Sequence, residues 1–348
     1  MSEQYFDQKR AGSGWKRRNF LSAALASAAA VTLPGAGVLA AWGKGKGGGM
    51  LLAKNGAVLT GNDGTLPEKR GSVGERERED SESGHAELTI RDVIDKLQAD
   101  VPGAPFSQTV DTIKAGDWRQ PVKGIVTTMF ATDAVIEKTI SLGANFIIAH
   151  EPTFYNHQDE TDWLGNDPVV KFKKDLLVKH GIVVWRFHDG LHQHRPDGVM
   201  MGVINALGWN KYYSAENPPL VEIPPITLRT MITQVKAKLR IDKLKYIGDP
   251  AQLCHRIVLS PGAAGGRAQI GQLQKWEPDV FICGELNEWE TSEYIRDARY
   301  QGRKIGLIVL GHSASEEAGL QWLIPVLKSK IPDIKATHVP SGDPFAWA

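Results

Sequence analysis

Cysteine is nearly missing from this 348-residue chain. Cys254 and Cys283 are its two, so no disulfide framework and no Cys-x-x-Cys zinc ribbon can organise it. An excess of one charge is missing too: 41 Lys and Arg against 40 Asp and Glu leave a net charge of +1. That balance removes the global electrostatic reason to expect nucleic acid or an anionic membrane surface as a partner. No short repeat recurs along the chain. Two familiar patterns also fail when read residue by residue. His150-Glu151-Pro152 begins like a metalloprotease H-E-x-x-H helix, but Pro152 breaks helical spacing and Phe154 occupies the second His position. Ser260 to Gly266 reads SPGAAGG, rich in glycine but without the Gly-Lys-Ser/Thr of a Walker A loop, and a tight turn accounts for it.

What is present begins with an address. Lys16, Arg17 and Arg18 precede Asn19, Phe20 and Leu21 and then an Ala-rich apolar run, which is a twin-arginine export pattern. Pro34, Gly35 and Gly37 interrupt the run and it closes on Ala40 and Ala41, which suits cleavage better than a lasting membrane span. Residues 1–41 are therefore predicted to be a signal peptide that engages the twin-arginine export machinery. The mature protein is expected to be periplasmic or otherwise exported, with no stable membrane span. Residues 42–86 are rich in Gly, Lys, Glu, Arg and Ser without an apolar period, as in a flexible charged linker.

From Glu87 the pattern becomes regular. LTIRDVIDKL is amphipathic, QPVKGIVTTM is strand-like, TDAVIEKTISLG reads as a helix closed by Gly143, and NFIIA reads as a strand. A helix from about Pro168 to His180, strand GIVVWRF and helix GVMMGVINALG continue the alternation. After them come helix TLRTMITQVKAKLR, strands HRIVLS and DVFIC, helix TSEYIRDARYQG, strand KIGLIVL and a last helix near Glu316 to Leu327. The expectation is a layered α/β fold with a largely parallel sheet, or two such sheets, and with both cysteines buried in or beside strands.

In open α/β sheets ligands bind beyond the carboxyl ends of strands, so the residues after each apolar run carry the functional reading. NFIIA leads into His150 and Glu151; GIVVWRF into His188, Asp189, His192 and His194; KIGLIVL into His312 and, four residues on, Glu316. Imidazole mixed with carboxylate, without thiolate, suits zinc, manganese or iron. More than four candidate ligands exceed the need of one tetrahedral ion, and two divalent metal ions would use them. His157 and His194 read as exposed loop histidines.

These junctions, together with TVDTIKAGD, FHDGLH, YIGDP, SPGAAGG, CGEL and GHSASEE in this order, resemble the Nif-three-like dinuclear metal-centre family. Some of its members carry the name GTP cyclohydrolase I type 2. The resemblance implies two similar α/β lobes with the metals between them, about 87–209 and 210–348, and no inserted middle domain, because Tyr213 to Asp249 leaves no room for one. It nominates His150, Glu151, His192, His312 and Glu316 as metal ligands. Glu151 stands where the family has a second His, and His192 where it has an Asp. His188, Asp189 and Glu285 are implied as proton carriers or orienting groups, although Asn287, Glu288 and Trp289 replace the His pair that often follows Glu285. A homo-oligomer, commonly a ring-shaped hexamer, is implied as well. The function expected is a metal-dependent hydrolase acting on a small molecule, with a non-catalytic periplasmic metal-binding or scaffolding protein as the alternative.

Overall fold

Thr89 starts the first helix. Its hydroxyl accepts the Asp92 N–H while the Asp92 carboxylate accepts the Thr89 N–H, and Ile90, Val93, Ile94 and Leu97 bury one face of α1 (Ile90–Gln98). The computed structural model describes residues 87–348, so the signal peptide expected at 1–41 and the linker expected at 42–86 lie outside the described residues.

The chain continues through β1 (Ile113–Ala115), β2 (Ile125–Thr128), α2 (Asp133–Ser141), β3 (Phe146–Ala149), α3 (Pro168–Lys179) and β4 (Val183–Arg186). Thr132 and Asp167 cap α2 and α3 through their side chains, with Pro168 at the first position of α3. The short α4 (Asp189–Gln193) and α5 (Gly198–Leu207) follow. Then come β5 (Leu220–Thr227), α6 (Leu228–Leu239), β6 (Lys245–Ile247), β7 (Leu253–Ser260), α7 (Gly266–Trp276), β8 (Val280–Cys283), α8 (Glu293–Tyr300), β9 (Gly306–Val309), α9 (His312–Lys330) and β10 (Ala336–His338).

Two five-stranded sheets result, ordered β1-β4-β3-β2-β10 and β5-β7-β8-β9-β6. Each has a parallel βαβαβ centre whose middle strands are buried on both faces, which is why β3 and β8 read as unbroken apolar runs. The antiparallel edges β1, β5 and β6 were not among the expected strands. β5 contains Pro224 and Pro225, which argue against a strand in sequence; its edge position and its register shift between Glu222 and Ile226 accommodate them. β10 runs parallel to β2, so the chain ends by returning to the first sheet.

The last helix begins at His312, a turn before the expected Glu316, because Gly311 at φ 91° turns the chain directly from β9 into it. Helix α9 crosses α5 with backbones touching: a Cβ on Gly202 would lie 2.3 Å from the Ala318 carbonyl oxygen, and one on Gly319 2.8 Å from Val199 Cα. Among the described residues no helix is long and apolar enough to cross a membrane. Both cysteines are buried and free. The ladder pairs Cys283 with Ser260, six residues along β7 from Cys254, a separation of roughly 20 Å that excludes a disulfide. Burial pushes the Cys283 thiol up to about 12.

Candidate metal centre

The carboxyl ends of the two sheets supply one cluster. His150 and Glu151 follow β3, His188 follows β4, His192 lies in α4, and His312 and Glu316 occupy one face of the first turn of α9. His150 is fully buried and Glu151 and Glu316 nearly so. The rings of His150 and His188 stack at 4.7 Å, and His192 meets them edge-on at 5.1 and 4.9 Å.

Each of these three imidazoles is turned by a partner at Nδ1. His150 donates to the Phe187 carbonyl at 3.1 Å, His188 is 2.9 Å from Asp189 Oδ1, and His192 is 3.1 Å from Asp197 Oδ2. All three Nε2 atoms are thereby left facing inward, the arrangement that orients histidine toward a cation. His150 Nε2 is buried without a hydrogen-bond partner, 3.5 Å from Glu316 Oε2. His188 Nε2 lies 3.7 Å from Glu151 Oε1, and His192 Nε2 lies 3.9 Å from Glu316 Oε1. Ligand atoms of His150, His188 and His192 lie within 4.8 Å of one another, as do those of His150, Glu151 and Glu316. Donors of this type, nitrogen and carboxylate without sulfur, converging on an orphaned buried nitrogen, fit a divalent transition metal.

His312 closes the cluster. Its Nε2 lies 3.2 Å from Glu151 Oε1 and 3.1 Å from Glu316 Oε2, and its Nδ1 lies 3.2 Å from Glu285 Oε2. Burial favours the neutral ring, but the two carboxylates outweigh it and hold His312 up at about 10. Burial likewise opposes ionisation of Glu316, and His150 and His312 overcome it, holding that carboxyl well below the usual range. His188 moves the other way: burial and the neighbouring His150 lower it to about 4 against the pull of Asp189, so it is neutral at pH 7, as a ligand must be.

The sequence-nominated residues thus gather, with differences of role. His188, nominated as a proton carrier, stands among the inward-facing imidazoles. Asp189 faces away from the centre and bonds His188 and the Thr109 hydroxyl. Glu285 is half exposed and touches His312 alone among the cluster residues. His157 approaches only the edge of His188, at 6.0 Å, and His194 packs on Trp322 outside the site.

Four contributors were not read from sequence. Asp111, inside the quoted TVDTIKAGD segment, accepts the N–H groups of His188, Asp189 and Gly190 at 2.7–2.8 Å and so shapes the turn that presents His188. Burial, the largest influence on Asp111, lifts its carboxyl above the ordinary value although those three N–H groups favour the charge. Asp197 turns His192, and Arg186 contacts Glu151. Gly262, in the SPGAAGG segment, has φ 69°, and a Cβ there would lie 2.2 Å from Glu316 Oε1. Gly262→Ala is therefore expected to push Glu316 aside and lower metal affinity by about 10-fold or more. Isothermal titration of the metal-free variant with zinc, beside its circular dichroism spectrum, checks that the site is lost and the fold kept.

Comparison with known proteins gives the family and the fold. A Clostridium acetobutylicum protein named GTP cyclohydrolase 1 type 2 homolog is 26% identical over 256 residues, covering 70% of this chain and 89% of that one. The crystal structure of a Staphylococcus aureus hypothetical protein superposes with a TM-score of 0.61 at 19% identity, over 75% of this chain and all of that one. A Bacillus cereus protein related to NIF3 superposes equally, at 0.61 and 14% identity, over 75% and 99% of the two chains. At those identities the structures establish a shared fold. Residues 88–343 match the family described as Duf34/NIF3 (NGG1p interacting factor 3), and the chain belongs to that family.

Proposed function

We propose that the cluster holds two divalent metal ions and that the protein is a metal-dependent hydrolase of a small-molecule substrate. The observation that carries this reading is the convergence of three imidazole Nε2 atoms, each fixed through Nδ1, with two buried carboxylates. Metal ions bound there would supply Lewis acidity, acidifying water and polarising the group under attack. The chain's own residues supply the rest. His150, His188, His192 and His312 would face the ions with their Nε2 atoms, and Glu151 and Glu316 would balance the charge. The side chains of His188, His192 and His312 remain 21%, 31% and 24% exposed, so the cluster is open to solvent, as catalysis requires. Glu285 stands at that opening with an oxygen on His312 Nδ1, placed to take a proton from a group arriving there.

On the Arg17-Arg18 pattern we also propose that the protein works outside the cytoplasm and, on the family resemblance, that it is a homo-oligomer. Nucleoside triphosphates are scarce there, so the activity in the relatives' name is not carried to this chain.

Elemental mass spectrometry of mature protein purified without chelators is expected to find about two equivalents of zinc, manganese or iron per chain. One equivalent would overturn the paired site. None, in folded protein that also fails to take up added metal, would overturn the metal reading altogether. Two equivalents without turnover across amide, cyclic amidine and phosphoester panels would favour a carrier over a hydrolase.

A further inference from the structure

Arg186 ends β4 fully buried, where a guanidinium persists only if its donors are met. They are met by one loop. Nε donates to the His150 carbonyl at 3.0 Å, Nη1 to the His157 carbonyl at 2.6 Å, and Nη2 to Glu151 Oε2 at 2.8 Å, with Asp159 Oδ2 3.7 Å from Nη1. Asp159, at φ 60°, uses its other oxygen to accept the N–H groups of Thr153 and Phe154 at 2.6 and 2.8 Å, and Lys114 Nζ lies 3.1 Å from its Oδ2. Lys173 donates to the Thr153 carbonyl at 3.1 Å. The segment from His150 to Asp159 is therefore held from beneath, and within this network Arg186 and Lys114 balance Glu151 and Asp159.

Arg186 differs from the other two cations in touching the metal centre. Of the two oxygens of Glu151, it takes Oε2. The oxygen it leaves, Oε1, is the one facing His312 Nε2 at 3.2 Å and His188 Nε2 at 3.7 Å. We propose that Arg186 is a positioning residue that makes Glu151 a one-oxygen ligand, fixing Oε1 toward the metal centre. This rests on the reading of the cluster as a metal site. A planar fork of five N–H groups can serve acceptors lying in these separate directions at once; a lysine ammonium cannot. The function of Arg186 is thus geometric, and its charge alone does not replace it.

The test titrates metal-free protein with cobalt(II), following affinity and the visible absorption band that reports coordination. Arg186→Lys keeps the charge and is expected to bind cobalt about 10–100-fold more weakly, with an altered band. Lys114→Met removes a cation of the same network that does not touch Glu151; it is expected to lower the thermal midpoint of the metal-free protein and leave cobalt affinity unchanged. Wild-type affinity and spectrum in Arg186→Lys would overturn the proposal, and so would an equal loss in Lys114→Met, which would make loop rigidity the cause. A second comparison stands if Arg186→Lys does not fold. The pair Glu151→Ala with Arg186→Met removes both charges together, and should bind cobalt as Glu151→Ala alone does, because Arg186 acts through Glu151. A further tenfold drop in the pair would overturn the proposal. Wild-type protein that binds no cobalt would overturn the metal reading itself, an outcome distinct from all of these.

Discussion

Glu316→Ala should lower the affinity of the metal-free protein for zinc or manganese by at least about 100-fold, because loss of a partner behind a ligand already costs 10–100-fold. Its far-UV circular dichroism should be kept. Proton release gives a second readout. His312, held up at about 10, is charged at about pH 8 in the metal-free protein, so metal uptake must expel about one proton there. Affinity should then rise roughly tenfold per pH unit until about pH 10. Calorimetry in buffers of different ionisation enthalpy measures the released proton directly. In Glu316→Ala the release should shrink, since His312 Nε2 loses one of its two carboxylate neighbours.

The same groups set the pH dependence of the metal-free fold. The raised value of His312 gives stability that is complete below its ordinary 6.5 and disappears as pH rises through about 10. The lowered value of Glu316 gives stability present above its ordinary 4.5 and lost as pH falls into the acid range. The metal-free protein should accordingly resist urea best between these limits. Bound metal should flatten the alkaline side, because a coordinated His312 no longer needs its proton.

Asp111→Ala is expected to cost about 3 kcal/mol of stability. The carboxylate accepts three N–H groups of the turn from His188 to Gly190, and alanine leaves all of them without that partner. Because the turn presents His188 and Asp189, metal affinity should fall with stability. Asp111→Asn, which keeps one accepting oxygen at the same place, should cost roughly half as much. Urea unfolding monitored by tryptophan fluorescence checks the order: alanine below asparagine below wild type, with an unchanged denaturant slope. An alanine variant as stable as wild type would mean that the turn holds itself.

The path from sequence to site was direct where a single strand and the residue after it carried the information. An apolar run buried on both faces of a parallel sheet announces itself, and the side chain at its carboxyl end emerges at the ligand-binding edge whatever the loop does next. His150, Glu151, His188, His312 and Glu316 were legible for that reason. The parallel centres of both sheets were legible too, because their strands alternate with helices whose caps Thr89, Thr132 and Asp167 are local. The edges were harder. β1, β6 and β10 have three residues each, too few for a period, and β5 hides behind two prolines that only an edge position tolerates.

What only the tertiary structure decided is which groups stand behind the ligands. Asp111 lies 77 residues from His188 and Arg186 lies 35 from Glu151; no periodicity links such pairs, since the contact exists only after β1 and β3 flank β4 in the sheet. Gly262 reads in sequence as part of a tight turn, and only the fold shows Glu316 filling the space where its side chain would be. The sequence by itself determined the fold class and the donor chemistry, because burial patterns and residue types are local properties. The direction each donor points was settled by folding, since it depends on partners that the sheets bring in from far along the chain.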